Sequence, residues 1–279
     1  CTYCVLQSYI NRPAITVHTN VEECLEQLDT YLAAVPPGGL VRLGTGELAD
    51  SLVLEEPTGW AERLVHDVAG RTNAVLELKT KTALVEPLLG LDHGGRTVVA
   101  WSLNPEGIVR REELKTVGLE ERLEAAARVQ AAGYLVAFHF DPLIHYPGWE
   151  SGYRAVVARL AEAVDPQRVA WVSLGGLRFL PGLKAVIKAR FPKSRLPAGE
   201  FIEGQDKKLR YLAPVRAAMY RAVAGWLRDW DEELLIYLCM ERGALWEAAL
   251  DERPPDRDAV EDRFRQRLQA LAPSRTASP

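Results

Sequence analysis

Thr97-Val98-Val99-Ala100-Trp101-Ser102, then Leu119 to Ala132 closed by Gly133, then Leu135-Val136-Ala137-Phe138-His139-Phe140 reads as strand, helix, strand. The outer runs are short, apolar and rich in β-branched and aromatic residues, which suits strands buried on both faces. The middle run is longer, mixes charged with apolar residues and stops at a glycine fit for a helix C-terminus. A strand that returns to its sheet through a helix lies parallel to its predecessor.

The same alternation extends both ways. Upstream, Ala14-Ile15-Thr16-Val17-His18-Thr19, Leu40 to Leu43 and Ala74-Val75-Leu76-Glu77-Leu78 read as strands; downstream, Val169 to Leu174 does. Helices are expected from Asn20, as N-cap, to about Ala34, over Trp60 to Ala69, over Ala83 to Leu89 as a short helix, and over Trp149 to Ala163. About six βα repeats predict an α/β protein with a parallel sheet, either open and doubly wound or curled into a full or partial barrel. In each case ligands gather at the C-terminal strand ends. The rim residues are then Gly44 to Glu47, Lys79 to Lys81, Ser102 to Asn104 and Asp141 to His145, with Asp141 and His145 able to face a substrate. Beyond Leu180 the rhythm changes. Lys184 to Phe191 reads as a basic helix, Arg210 to Asp229 as a long amphipathic one, Glu233 to Cys239 as an apolar run and Asp258 to Leu271 as a charged terminal helix. Residues 273–279 are expected to be disordered.

The 279 residues are 48% apolar and 26% charged, which is ordinary for a globular protein. A formal charge of −4 argues against a general nucleic-acid coat while leaving room for a local basic groove. Four cysteines make no disulfide framework, so a reducing, cytoplasmic setting is expected. No apolar run of about 18 residues suggests a membrane span.

The two thiols of Cys1-Thr2-Tyr3-Cys4 stand ahead of Val5-Leu6-Gln7-Ser8-Tyr9. Four readings are open: a redox pair, a zinc site needing two more ligands, a lipid-modified N-terminal cysteine, or part of an iron–sulfur ligand set completed upstream. Cys24 and Cys239 stand alone, and Cys239 among apolar neighbours reads as packing.

With these positions in hand, the chain resembles the radical S-adenosylmethionine superfamily, and within it the spore photoproduct lyase family. That family carries Cys-x3-Cys-x2-Cys ahead of a Leu-Gln segment, which Cys1, Cys4 and Leu6-Gln7 resemble; its first cysteine would stand four positions before Cys1. The likeness continues through Asn20-Val21-Glu22-Glu23, Thr80-Lys81, Trp101-Ser102-Leu103-Asn104, Ala131-Ala132-Gly133-Tyr134, Gly148 to Tyr153 and Arg190-Phe191-Pro192-Lys193.

The resemblance implies a partial (β/α)6 barrel of the radical-SAM type over residues 1–200, with a C-terminal helical extension over 201–272. It implies a [4Fe–4S] cluster held in part by Cys1 and Cys4, S-adenosylmethionine as its companion, and lyase chemistry of the DNA-repair kind. DNA is the implied partner, and flavodoxin or ferredoxin the implied reductant. Tyr3 resembles the aromatic residue beside the cofactor. Gly44-Thr45-Gly46-Glu47 resembles the superfamily's Gly-Gly-Glu motif, whose carboxylate meets the methionyl ammonium. Lys81 matches the partner of the methionyl carboxylate, and Ser102 a hydroxyl near that group or the ribose. The catalytic residue is not identified.

Two positions depart from the family. Aligned through Arg42 and Asp50, the family's hydrogen-donating cysteine is replaced by Glu47, and the tyrosine after the last cluster cysteine by Val5. A carboxylate cannot return a hydrogen atom to a carbon radical as a thiol does, so a paralogue acting on another substrate is expected. Lys184, Lys188, Arg190, Lys193, Arg195, Lys207, Lys208 and Arg210, interleaved with Phe201 and Tyr211, form the candidate nucleic-acid surface. The competing functions are a non-catalytic nucleic-acid-binding protein on the same fold and a zinc or redox Cys-x2-Cys protein.

Overall fold

The computed structural model describes residues 1–10, 12, 14–253 and 256–271. In chain order these form α1 (Val21–Ala33), β1 (Val41–Gly44), α2 (Glu55–Thr58), α3 (Trp60–Ala69), β2 (Ala74–Thr80), β3 (Thr97–Ser102), α4 (Glu106–Glu112), α5 (Leu119–Ala131) and β4 (Leu135–Leu143). Then come α6 (Trp149–Ala163), β5 (Val169–Gly176), β6 (Arg178–Phe179), α7 (Pro181–Arg190), β7 (Ile202–Glu203), β8 (Leu209–Arg210), α8 (Ala213–Trp230), β9 (Ile236–Leu238), α9 (Ala244–Leu250) and α10 (Arg257–Leu271). Six strands pair in parallel in the order β1-β2-β3-β4-β5-β9, and β6-β8-β7 make a small antiparallel sheet beside them.

The six-stranded sheet curls into a half-barrel. In a flat sheet its edge strands would stand about 24 Å apart, at roughly 4.8 Å per step. Yet the Arg42 guanidinium of β1 lies 5.7 Å from the Tyr237 ring of β9. Strand alternation then sorts the side chains into two layers. Leu76, Leu78, Val99, Trp101, Val136, Phe138, Val172 and Leu174 bury against the helices outside. Val75, Val98, Ala100, Leu135, Ala137 and Trp171 line the concave side, where Phe264 and Leu268 of α10 cover them. The N-terminal half of the concave face is thus plugged, and the rim at the C-terminal strand ends is the accessible end.

The sequence expectation for Thr97–Ser102, Trp60–Ala69 and Trp149–Ala163 matches the elements residue for residue, and Gly133 closes α5 with φ +92°. Four readings need correction. Ala14–Thr19 is not a strand: the stretch is exposed, with Ile15 77% accessible, and it has no sheet neighbour. β-branched composition stabilises a strand only where a pleated partner and a buried face exist. The sixth strand is instead β9, drawn from the apolar run inside the expected helical extension. Asn20 precedes α1 without capping it, its amide donating to Glu23 instead. Around Pro87 the helix expected over Ala83 to Leu89 shrinks to a 3-10 turn, Glu86–Leu88. The expected disordered tail, 273–279, lies outside the described residues. No helix among them is long and apolar enough to cross a membrane.

Candidate functional site

The rim is organised around a residue that the sequence pattern does not single out. Glu113, one residue beyond α4, is 1% exposed and gathers partners from four parts of the chain. Lys81 Nζ, just past β2, bonds its Oε1 at 2.6 Å, and the Tyr3 hydroxyl donates to the same oxygen. Asn104 Nδ2, just past β3, donates to it at 2.9 Å, and Arg122 of α5 pairs with Oε2 at 2.7 Å. Burial by itself would push this carboxyl up; Lys81 and Arg122, helped by the bonds from Lys81 and Tyr3, overcome that and hold it down to about 2. Lys81 also donates to the Tyr3 oxygen at 3.0 Å, with its ammonium 5.4 Å from the ring centre. An ammonium has three donors, so with Glu113 and Tyr3 satisfied one remains for a ligand. Asn104 is itself held by Tyr153, whose hydroxyl donates to Oδ1 at 2.6 Å.

The cysteine segment is fastened to the same wall. Thr2 is 1% exposed; its N–H donates to the Glu112 carbonyl at 2.7 Å and its hydroxyl to Glu112 Oε2 at 2.6 Å. Ser194 donates to that oxygen too, at 2.8 Å. Gln7 donates to the Thr2 carbonyl at 2.8 Å and accepts from Arg190 at 2.8 Å, so the family-like Leu6-Gln7 step serves as a brace. Cys1 and Cys4 are half-buried free thiols on either side of Tyr3. Among the described residues no group of three or more His, Cys, Asp or Glu stands together as a metal site.

The loop after β1 lies along β2 through Ser51, whose N–H bonds the Lys79 carbonyl and whose Oγ accepts the Lys79 N–H. A Cβ on Gly46 would fall 2.6 Å from Lys79 Cβ, so this approach requires glycine. Asp50 ties the loop to the end of β2, accepting from Thr80 Oγ1 at 2.7 Å and from the Lys81 N–H at 2.8 Å. Gly44 ends β1 opposite Glu77. Glu47 is exposed on the loop, its carboxylate in no hydrogen bond or ion pair with a described residue. Ser102 ends β3, buried; its carbonyl accepts from Arg122 at 2.8 Å, which links it to Glu113 at one remove. Of the expected site residues, the structure therefore brings Tyr3 and Lys81 into contact, with the cysteine segment and Ser102 adjoining. Gly44, Gly46 and Glu47 share the rim without touching that cluster.

Two further polar clusters occupy the concave face. Arg178 forks onto Asp141 at 3.0 Å and 3.0 Å and donates to Cys239 Sγ at 3.2 Å. Against burial, Arg178 and Lys79 bring the Asp141 carboxyl down to about 2. Burial and the neighbouring Asp141 push the Cys239 thiol up to about 12, so it stays S–H. Cys239 is thus a face residue and not core packing. Deeper, Glu77 Oε1 accepts from His139 Nε2 at 2.7 Å and Trp171 Nε1 at 3.3 Å. His139, with Arg42 and Lys79 behind it, outweighs burial and brings Glu77 down to about 2, while burial lowers the His139 imidazole itself, so the guanidinium and ammonium are the lasting charges here.

The candidate nucleic-acid aromatics are engaged elsewhere. Tyr211 is 5% exposed and stacks on Phe201 with centroids 5.1 Å apart, and Phe201 packs edge-on to Phe179 at 5.0 Å. Lys207 pairs with Glu203, and Arg210 with Asp206 and Glu241.

Comparison with known proteins adds the family context. The family model described as spore photoproduct lyase matches residues 1–213. Spore photoproduct lyase of Bacillus subtilis (strain 168) is 31% identical over 214 residues, 76% of this chain and 60% of that protein. The chain therefore spans about three fifths of the length of that curated relative. A solved spore photoproduct lyase complexed with dinucleoside spore photoproduct superposes with a TM-score of 0.79 at 24% identity, over 86% of this chain and 73% of that one. A double mutant of spore photoproduct lyase with bound AdoMet and dinucleoside spore photoproduct gives a TM-score of 0.79 at 23% identity, with the same coverage. These likenesses show the fold, a curled parallel half-barrel.

Proposed function

The chain belongs to the spore photoproduct lyase family, and from that premise we propose that it is a radical S-adenosylmethionine enzyme acting on DNA in the cytoplasm. What carries the reading is the meeting of Tyr3, Lys81 and the cysteine segment on one buried glutamate at the C-terminal rim of a parallel half-barrel. A rim of this kind is where α/β folds bind ligands.

The residues fit the two groups that the family implies. Cys1 and Cys4 are sulfur donors of the type an iron–sulfur cluster takes and would supply two of its thiolates. When bound, a [4Fe–4S] cluster with S-adenosylmethionine supplies one-electron cleavage of a carbon–sulfur bond and so a 5′-deoxyadenosyl radical. The chain's own work is to bind, orient and exclude water. Lys81 has one donor left for a carboxylate; burial lowers its pKa, and Glu113 opposes that shift and aims the ammonium. Gly46 lets the loop lie flat on β2, leaving the Glu47 carboxylate on the rim to accept from an ammonium. Tyr3, between the two cysteines in the sequence, sets its ring beside the Lys81 ammonium, and Ser102 ends the neighbouring strand. A reductant such as flavodoxin or ferredoxin completes the reading.

Position 47 holds a carboxylate, so the relay expected of the family is not assigned to it. Among the described residues outside the Cys1–Cys4 pair, Cys239 is the thiol on the concave face. Anaerobic reconstitution of the full-length protein with iron and sulfide is expected to give a brown chromophore and, on reduction, 5′-deoxyadenosine. Cys1→Ala and Cys4→Ala each abolish both. A protein that keeps iron and activity with both cysteines replaced is not of this kind.

A further inference from the structure

Two consecutive glutamates hold the two residues that separate Cys1 from Cys4, and we propose that they form a clamp that shapes the cysteine loop before any metal enters, with Glu112 as its main positioning residue. The Cys4 N–H donates to the Cys1 carbonyl at 3.3 Å, which closes a four-residue turn with Thr2 and Tyr3 at its centre. Each central residue has its own glutamate at the end of α4. Thr2 gives its N–H to the Glu112 carbonyl at 2.7 Å and its hydroxyl to Glu112 Oε2 at 2.6 Å, while the Tyr3 hydroxyl donates to Glu113. Two bonds between one pair of residues fix an orientation as well as a distance, since neither group can turn without straining the other contact.

The end of α7 holds the same loop from another side. Arg190, the last residue of that helix, donates to Gln7 Oε1 at 2.8 Å. Gln7 passes the hold on through Nε2, which donates to the Thr2 carbonyl at 2.8 Å and the Cys4 carbonyl at 3.4 Å. Ser194 then gives its hydroxyl, at 2.8 Å, to the Glu112 oxygen that Thr2 uses.

Glu112 is 3% exposed and in no ion pair with a described residue. A carboxylate taken out of water without a counter-charge lowers stability, and a neutral side chain at this place would spare the fold that cost. Its position is accounted for by what it grips, namely one hydroxyl from the cysteine loop and one from the loop after α7. Glu113 differs, because Lys81 and Arg122 balance its charge. The inference rests on the reading of Cys1 and Cys4 as cluster ligands. Thiolates that gather on one metal lose conformational freedom as they bind, so a loop already ordered by hydrogen bonds takes up metal more readily than a loose one.

Hydrogen exchange read by mass spectrometry, on full-length protein to which no iron has been added, tests the clamp. The amides of Thr2, Cys4, Gln7, Tyr9 and Ile10 are all bonded, and they should exchange slowly in wild type. Thr2→Val removes the hydroxyl at nearly constant shape. It is expected to speed exchange across residues 2–10 at least tenfold and to lower the iron retained after anaerobic reconstitution at least threefold; Thr2→Ser should restore both. Glu112→Ala should act as Thr2→Val does, and combining the two should add little, as for the two ends of one contact. Tyr134→Phe deletes a buried hydroxyl bonded to the Leu88 carbonyl, at the end of the sheet away from the rim. It should lower the urea midpoint and leave exchange of residues 2–10 unchanged. Rapid exchange of these amides in wild type overturns the proposal. So does a Thr2→Val protein that exchanges like wild type or, where wild type takes up iron, retains as much of it. A loop protected in wild type and loosened by Thr2→Val, in a protein that takes up no iron, supports the clamp and overturns the cluster reading instead.

Discussion

The floor and the rim of the half-barrel both bury a cation, and they do it by different means. At the floor, the Arg42 guanidinium sits 3.9 Å from the Phe264 ring centre, 5.1 Å from Trp171 and 5.7 Å from Tyr237. Its Nη1 has no hydrogen-bond partner among the described residues. Ring faces attract its charge, the nearby Glu77 carboxylate adds to that, and α10 covers this part of the concave face. At the rim, Lys81 is held by a carboxylate and a phenol and keeps one donor in hand. The floor spends its cation on cohesion, whereas the rim holds its cation fixed and still able to accept one more partner. Only the second arrangement is of use to a ligand.

Breaking the rim should cost the most. Glu113→Gln strands Lys81 and Arg122 in a buried place, and the expected loss is about 3–5 kcal/mol of unfolding free energy by urea titration. Phe264→Ala tests the floor, removing a side chain that is 3% exposed and the lid over Arg42, with an expected loss of about 3 kcal/mol. If this variant proves the more damaging of the two, the contrast between the regions is inverted. Acid sharpens the contrast further, because each region contains a depressed carboxyl. Glu113 at the rim and Glu77 near the floor both fall from 4.5 to about 2 on folding. A depressed carboxyl stabilises the fold fully above its ordinary range, and the stabilisation is lost as pH drops toward 2. Each carries on the order of 3 kcal/mol at most, from 1.36 kcal/mol per unit. Stability measured from pH 5 down to pH 2 should decline, and Glu113→Gln should make the decline shallower without abolishing it; an identical decline would remove Glu113 from the account.

How far the site is legible in the chain depends on the residue. Lys81 and Ser102 follow recognisable strands, so the rule that ligands gather at C-terminal strand ends puts both on the rim. Asn104 stands in the same window and its role is within reach. Glu113 is not, because it follows a short helix, Glu106–Glu112, that carries no clear apolar period, and one glutamate among several charged neighbours looks like surface. Ala14–Thr19 misleads in the opposite sense: its composition suits a strand, but no neighbour exists for it to pair with. β9 escapes notice because a three-residue strand is too short to show alternation.

The order of residues alone determined the parallel sheet and the spaced pair of cysteines, because these follow from local periodicity and spacing, while Lys81 entered as a site residue through the resemblance to the family. The folded chain alone decided which carboxylate receives that lysine, that Cys239 lies on the concave face beside Arg178, and that Phe264 of α10 covers Arg42. Those outcomes join positions as far apart as Thr2 and Glu112, 110 residues along the chain. Such pairs meet only because curling the sheet brings strand ends and helix ends together, and no local pattern encodes that closure.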